Sequence, residues 1–250
     1  MYGQVLKSMD STVGILETRV PKPRRVPFAS SFVYRYVEKT LHQALVQKLA
    51  RYVTSLRAAR LLMEHGFVQE QAALQRVLDE IQEDITFLAF GVVFGSITPL
   101  HQEYLEAFYE EEFDAATGLA TSQSRAMTPR KKIRAYIARA QGHAEDPSGS
   151  VENARTVSKT YSGYVHAASP QIMDMYGGSP PHFHVKGMRG TELHDEHRED
   201  LWNYFYRGIL AFAFAAKAFG ENELFTEISK FADAFANHQG KNYGVTVGEI

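Results

Sequence analysis

The sequence predicts an all-α protein: an antiparallel bundle of six to eight helices with one irregular loop across one end and a very short strand as its only β structure. Three observations carry this. Apolar residues recur at threes and fours along most of the 250-residue chain. Thr-Pro pairs and single glycines punctuate those runs where helices start and stop. The strand content that a dinucleotide-binding fold needs is missing. A chain of this length can bury a sizeable core without a crosslink, and it has no cysteine, which excludes disulfides and thiolate chemistry. With a net charge of −2 there is no general pull toward nucleic acid or an anionic membrane, and we expect a cytoplasmic protein.

The elements follow in order. Residues 1–31 lack the apolar core of a secretory signal. Pro21, Pro23 and Pro27 favour an extended arm, in which Lys7, Arg19, Lys22, Arg24 and Arg25 outnumber Asp10 and Glu17. Residues 32–240 read as a single helical domain and 241–250 as a C-terminal tail. A long helix capped by Ser31 carries Val33, Val37, Leu41, Leu45, Leu49, Val53, Leu56 and Met63, and Gly66 ends it. A short turn leads to a second, antiparallel helix with Leu74, Val77, Leu78, Ile81, Ile85 and Leu88, while Arg76, Glu80 and Asp84 occupy another face. The uncharged run from Ile85 to Leu100 is sixteen residues, short of the ~20 that span a bilayer, so no membrane partner is expected.

Thr98-Pro99 opens an acidic helix with Glu103, Glu106, Glu110, Glu111, Glu112 and Asp114. The next segment is basic, with Arg125, Arg130, Lys131, Lys132, Arg134 and Arg139. The simplest expectation is two complementary charged surfaces; the alternative is that Arg130, Lys131, Lys132, Arg134 and Arg139 hold phosphates. A helix from about Val151 presents Ala154, Val157, Tyr161 and Val165 inward. After Pro170 a short helix reaches Ile172 and Met175, and Gly177-Gly178 and Pro180-Pro181 force an irregular stretch before a brief strand at His182–Lys186. Glu192 to Phe219 is apolar on nearly every side and belongs at the centre of the bundle or in an interface. A last helix runs from about Glu221 to His238.

Half of the ten histidines fall between Lys159 and His197, so any site is sought there. No phosphate-binding glycine loop, nucleophile elbow, HExxH or Glu-x-x-His pair occurs, and no cofactor is implied. His166 lies one turn after Ser162, and Lys159 could offer a charge to a phosphate; together they form a candidate catalytic group. The competing role for His166 is to bond a loop carbonyl and fix the helix end. His182, His184, His194 and His197 are spaced so that an extended His-x-His and a helical pair could present imidazoles to one zinc ion. Tyr161, Tyr164, Tyr176, Phe183 and Trp202 could line a pocket for a planar ligand.

The segments Leu74-Gln-Arg-Val-Leu-Asp-Glu80 and Tyr161-Ser-Gly-Tyr-Val-His166 resemble the HEPN superfamily of all-helical bundles, specifically bacterial members with a Tyr-x-x-x-Val-His-type motif. The resemblance spans roughly residues 35 to 235. It implies four or five core helices, frequent homodimers and, in active members, RNA cleavage without metal, by an arginine four to six residues ahead of a histidine. His166 matches that histidine. The spacing departs from the pattern: Arg155 is eleven residues upstream, ~16 Å along a helix. The arginine role would fall to Lys159, to Arg76 or to a second subunit. Two functions are therefore expected: binding or cleavage of RNA, or a non-enzymatic interaction or structural domain in which the Tyr161–His166 motif locks the loop.

Overall fold

Residues Tyr2–Glu17 form a helix, α1, in a computed structural model that describes residues 1–28, 30–112, 119–121, 126–142, 146–238 and 240–241. This corrects the extended arm expected over residues 1–31. Val5, Leu6, Met9 and Leu16 share one face of α1 and are buried in the core. The prolines act only later. Arg24–Phe28 (β1) pairs antiparallel with Ser31–Arg35 (β2), with Val26 opposite Val33. Ser31 therefore starts a strand and caps no helix. Val33 fits a helical stripe and a strand alternation equally well, which is why spacing alone misplaced it.

The second helix, α2 (Leu41–His65), begins at Thr40 through a reciprocal cap. Gln43 N–H donates to Thr40 Oγ1 at 3.2 Å and Thr40 N–H to Gln43 Oε1 at 3.0 Å. It ends at Gly66, in the left-handed conformation at φ 79°. A Cβ there would stand 2.7 Å from the Arg189 backbone nitrogen, so glycine is required for both reasons. Helix α3 (Val68–Val93) packs beside α2, as expected. Helix α4 (Pro99–Tyr109) starts at Thr98, whose backbone N–H donates to His101 Nδ1 at 3.1 Å.

Then come α5 (Arg130–Ala140), α6 (Ser148–Val165), α7 (Ser169–Met173) and a miniature hairpin, β3 (Tyr176–Gly177) with β4 (His182–Phe183). Helix α8 (Glu192–Ala218) is central, packing on α1, α2, α3 and α9 (Asn222–His238). Tyr52, Phe87, Phe205, Phe212 and Phe235 are the largest fully buried side chains. The nine helices among the described residues give an all-α bundle with two small strand pairs. No helix of the described residues is long and apolar enough to cross a membrane. The expected tail, 241–250, lies outside them from residue 242.

Helix α6 departs from its expected stripe. Val157 and Val165 are 43% and 48% exposed; of the expected stripe Tyr161 is buried, and Ser158 is buried beside it. The cause is its neighbour. Helix α6 packs on α3 and α5, and the buried surface of α3 carries a row of amides and carboxylates that an apolar stripe could not satisfy.

Candidate functional site

Gln71, Gln75, Asp79 and Glu83 recur every four residues along α3, so they form one ridge, and all four are buried, as is Asp84. Buried carboxylates persist when each has a partner. Asp79 accepts from Arg207 Nη1 at 2.7 Å and from the Tyr204 hydroxyl at 3.2 Å. Glu83 accepts from Arg134 Nε at 2.7 Å, and Asp84 takes Lys48 Nζ at 2.7 Å and Arg130 Nη1 at 2.5 Å. Burial pushes the Glu83 carboxyl above its usual range, against the opposing pull of Arg134 and Arg130. It also raises the hydroxyls of Tyr204 and Tyr161, with Asp79 and Asp200 adding to the effect.

The neutral end of the ridge meets α6 and α8. His197 Nδ1 lies 3.3 Å from Gln71 Oε1, and its Nε2 is 3.5 Å from the Tyr164 hydroxyl. Burial lowers the His197 pKa, opposed by the nearby carboxylates of Asp200, Glu196 and Asp174. The Tyr161 hydroxyl donates to Asp200 Oδ2 at 2.7 Å, and that of Tyr164 to Asp174 Oδ2 at 3.2 Å. Burial pushes Tyr164 up to about 12. Between the two tyrosines, Gly163 admits the end of α7: a Cβ there would lie 2.4 Å from Gln171 Cδ. Gln69 Nε2 in turn donates to the Gln171 carbonyl at 2.6 Å.

The candidate catalytic group is differently placed. His166 is the exposed residue that follows α6; its backbone N–H donates to the Ser162 carbonyl at 3.2 Å. No hydrogen bond joins the Ser162 hydroxyl to the His166 ring among the described residues. Lys159 is exposed on the same helix. Arg76 is bound to Glu80 at 2.6 Å and Arg155 to Glu152 at 3.2 Å, so both arginines considered for the family role already face carboxylates.

The basic run is divided. Arg130 and Arg134 turn inward to the acids of α3, and Lys132 reaches Glu103 of α4 at 3.5 Å. Lys131 and Arg139 are exposed. Lys132 with Glu103 is one pair of the expected facing of acidic and basic helices, while the ridge on α3 takes Arg130 and Arg134. Asp114 and Arg125 lie outside the described residues.

The four histidines do not converge. The rings of His182 and His184 lie 4.5 Å apart at the miniature hairpin, tilted by 51°, and His182 Nδ1 contacts the Pro180 carbonyl at 3.0 Å. His194 Nε2 bonds the Met63 carbonyl at 2.9 Å, and His197 belongs to the ridge. No group of three or more His, Asp or Glu placed to hold a metal ion occurs among the described residues, so the expected zinc set is not assembled. The aromatic set separates as well: Trp202 stacks on Phe235 and Tyr206, whereas Tyr176 pairs with Phe183.

Sequence reasoning overlooked the ridge itself. Its signal is the four-residue spacing of Gln71, Gln75, Asp79 and Glu83, which runs beside the apolar stripe of the same helix. Fold and ridge together define a class: an all-helical bundle with a charge-compensated seam in its core. No protein-family model matches the chain, nor does any curated protein or solved structure.

Proposed function

We infer that this chain is a non-enzymatic helical domain that works by binding, with Tyr161-Ser-Gly-Tyr-Val-His166 as the latch that fixes the loop from Ala167 to Gly190. The carrying observation is the pair of tyrosine ties, Tyr161 to Asp200 and Tyr164 to Asp174, on either side of Gly163. A motif built this way is accounted for by hydrogen bonding and close approach, with no reacting group required. The test compares two variants. Gly163→Ala should lower the melting temperature, because the new methyl meets Gln171, and His166→Ala should change neither melting temperature nor RNA. Cleavage of RNA by the parent, lost in a normally folded His166→Ala protein, would establish the HEPN-like nuclease reading instead.

A second reading, RNA binding without cleavage, is favoured by the first hairpin. Arg25, Pro27, Phe32 and Tyr34 share one face of it, and Phe32 and Tyr34 are exposed. The Arg25 guanidinium lies 4.4 Å over the Phe32 ring and Lys22 stands nearby in the chain, while Arg24 and Arg35 are paired with Glu38 and Glu111. Arginine beside exposed aromatic rings suits stacked bases of a single strand. Salt-sensitive binding of single-stranded RNA that Tyr34→Ala weakens would support it, and unchanged binding would remove it.

A further inference from the structure

Five large apolar side chains stay exposed on the loop that the Tyr161–His166 motif latches. Ile172, Met173, Tyr176, Phe183 and Val185 are between 39% and 72% exposed. The Tyr176 and Phe183 rings pair across the miniature hairpin with centroids 4.9 Å apart; Met173 lies three residues before Tyr176, and Val185 two residues after Phe183. Single exposed apolar residues are ordinary, but a group gathered in one loop marks an interaction surface. The loop is also pinned at both ends. Gln69 Nε2 holds the Gln171 carbonyl, and the Met188 N–H donates to the Gly66 carbonyl at 2.7 Å. A Cβ on Gly187 would lie 2.5 Å from the His65 carbonyl oxygen, so the chain runs directly against the end of α2. A surface fixed in this way is preorganised, and a partner need not order it on binding.

The charge beside these residues has one sign. From Lys159 to Gly190 there are two lysines, one arginine and three histidines against a single carboxylate, Asp174, which the Tyr164 hydroxyl already occupies. The next acids belong to the first turns of α8, where they offset the helix dipole. Lys186 is exposed and holds no ion pair among the described residues, and Arg189 bonds only the Glu64 carbonyl. Along the chain His182, His184 and Lys186 alternate with Phe183 and Val185, so cationic and apolar groups are interleaved. Such a surface complements carboxylates set beside an apolar stripe. Two fixed cations, Lys186 and Arg189, are too few for nucleic acid, whose affinity rests on many phosphate contacts. They also fall short of the cluster of about four to eight that an anionic bilayer recruits.

We propose that the loop from Ile172 to Lys186 is a docking surface for an acidic amphipathic segment of another protein. The apolar stripe of that segment covers Met173, Tyr176, Phe183 and Val185, and its carboxylates meet Lys186, His182 and His184. This rests on the non-enzymatic binding reading above and supplies its partner class. The latch then has a purpose beyond stability, since it holds the docking residues in place before the partner arrives.

The test titrates the full-length protein with a synthetic amphipathic helix of leucine and glutamate, the same helix with lysine in place of glutamate, phosphatidylserine vesicles and a single-stranded RNA, following amide chemical shifts. The leucine–glutamate helix should bind saturably, shift residues 172–186 and weaken as salt is raised, with the leucine–lysine helix weaker by about tenfold or more. Val185→Ser should weaken binding by about tenfold, and Lys186→Glu should reverse the preference between the two helices. Both positions are exposed, so both variants should keep the parent's melting temperature. The proposal is overturned if the leucine–glutamate helix shows no saturable binding, if the leucine–lysine helix binds as well, or if neither substitution alters the titration. It is equally overturned if the shifts fall outside the loop, or if the vesicles or the RNA take the loop in preference to the helix. None of these outcomes touches the non-enzymatic reading, which falls only to RNA cleavage by the parent.

Discussion

Helices α6 and α9 have nearly the same length, 18 and 17 residues, and dock on the bundle by opposite chemistry. Helix α9 lays Phe225, Ile228, Ala232, Phe235 and Ala236 against α8. Helix α6 buries only Ser158 and Tyr161, against a ridge of amides and carboxylates. The first attachment is non-directional and grows with the apolar area covered. The second depends on individual hydrogen bonds, each worth ~1 kcal/mol net, and on close approach at Gly163. The apolar side therefore supplies most of the stability, and the polar side positions a loop.

That contrast orders the expected effects of substitution. Phe235 is 1% exposed and stacks on Trp202 at 5.3 Å, so Phe235→Ala should cost ~3–5 kcal/mol in denaturant unfolding. A loss below ~1 kcal/mol would break the comparison at its stronger end. On the seam side, Arg134→Met leaves Glu83 buried without its partner and should also cost ~3–5 kcal/mol near neutral pH. This loss should shrink in acid. Glu83 already has a raised pKa in the fold, and losing Arg134 raises it further, so the folded protein binds its proton more readily than the unfolded chain does. Its contribution is present below the ordinary carboxylate pKa and is lost as pH rises through the raised value. A pH-independent cost would refute that assignment. Tyr161→Phe keeps the ring and removes only the bond to Asp200, for ~1–3 kcal/mol.

The same contrast explains what was legible in the sequence. Helix α9 and central α8 could be read from apolar spacing because their burial is apolar, and the Gly66 and Thr98-Pro99 boundaries followed from backbone geometry that few residues satisfy. Helix α1 has Val5, Met9 and Leu16 at helical spacing, and the three prolines that favour an extended chain act only after the helix has ended. Within the Tyr161–His166 motif the contacts and the titratable residue fall on different positions. His166 attracts attention as a titratable residue, yet the two tyrosines and Gly163 make the contacts. Their partners Asp200, Asp174 and Gln171 come from separate elements, and no spacing rule joins residues across a fold. Likewise Arg130 and Arg134 read as a surface patch because their carboxylates lie some fifty residues earlier in the chain.

A smaller effect would sharpen the comparison by separating the two helices within one molecule. His197 is buried between Gln71 of α3 and Tyr164 of α6, with Asp200, Glu196 and Asp174 near it, and burial depresses its pKa below the usual 6.5. The unfolded chain therefore takes up a proton at a pH where the folded one resists it. The stability this represents is fully present above the ordinary imidazole value and is lost as pH falls through the depressed one. Local opening that exposes His197 should become easier over the same window, and such opening involves α6 and the loop it latches, not α9. Amide exchange, corrected for intrinsic rates, should show protection in α6 falling as pH drops below the ordinary imidazole value of 6.5 while α9 holds. His101 is also buried with a lowered pKa, but it belongs to α4 and stacks on Phe87 of α3, so its protonation loosens a different part of the bundle. Equal loss of protection in α6 and α9 would mean that acid unfolds the molecule as one unit and that the polar attachment has no stability of its own to lose.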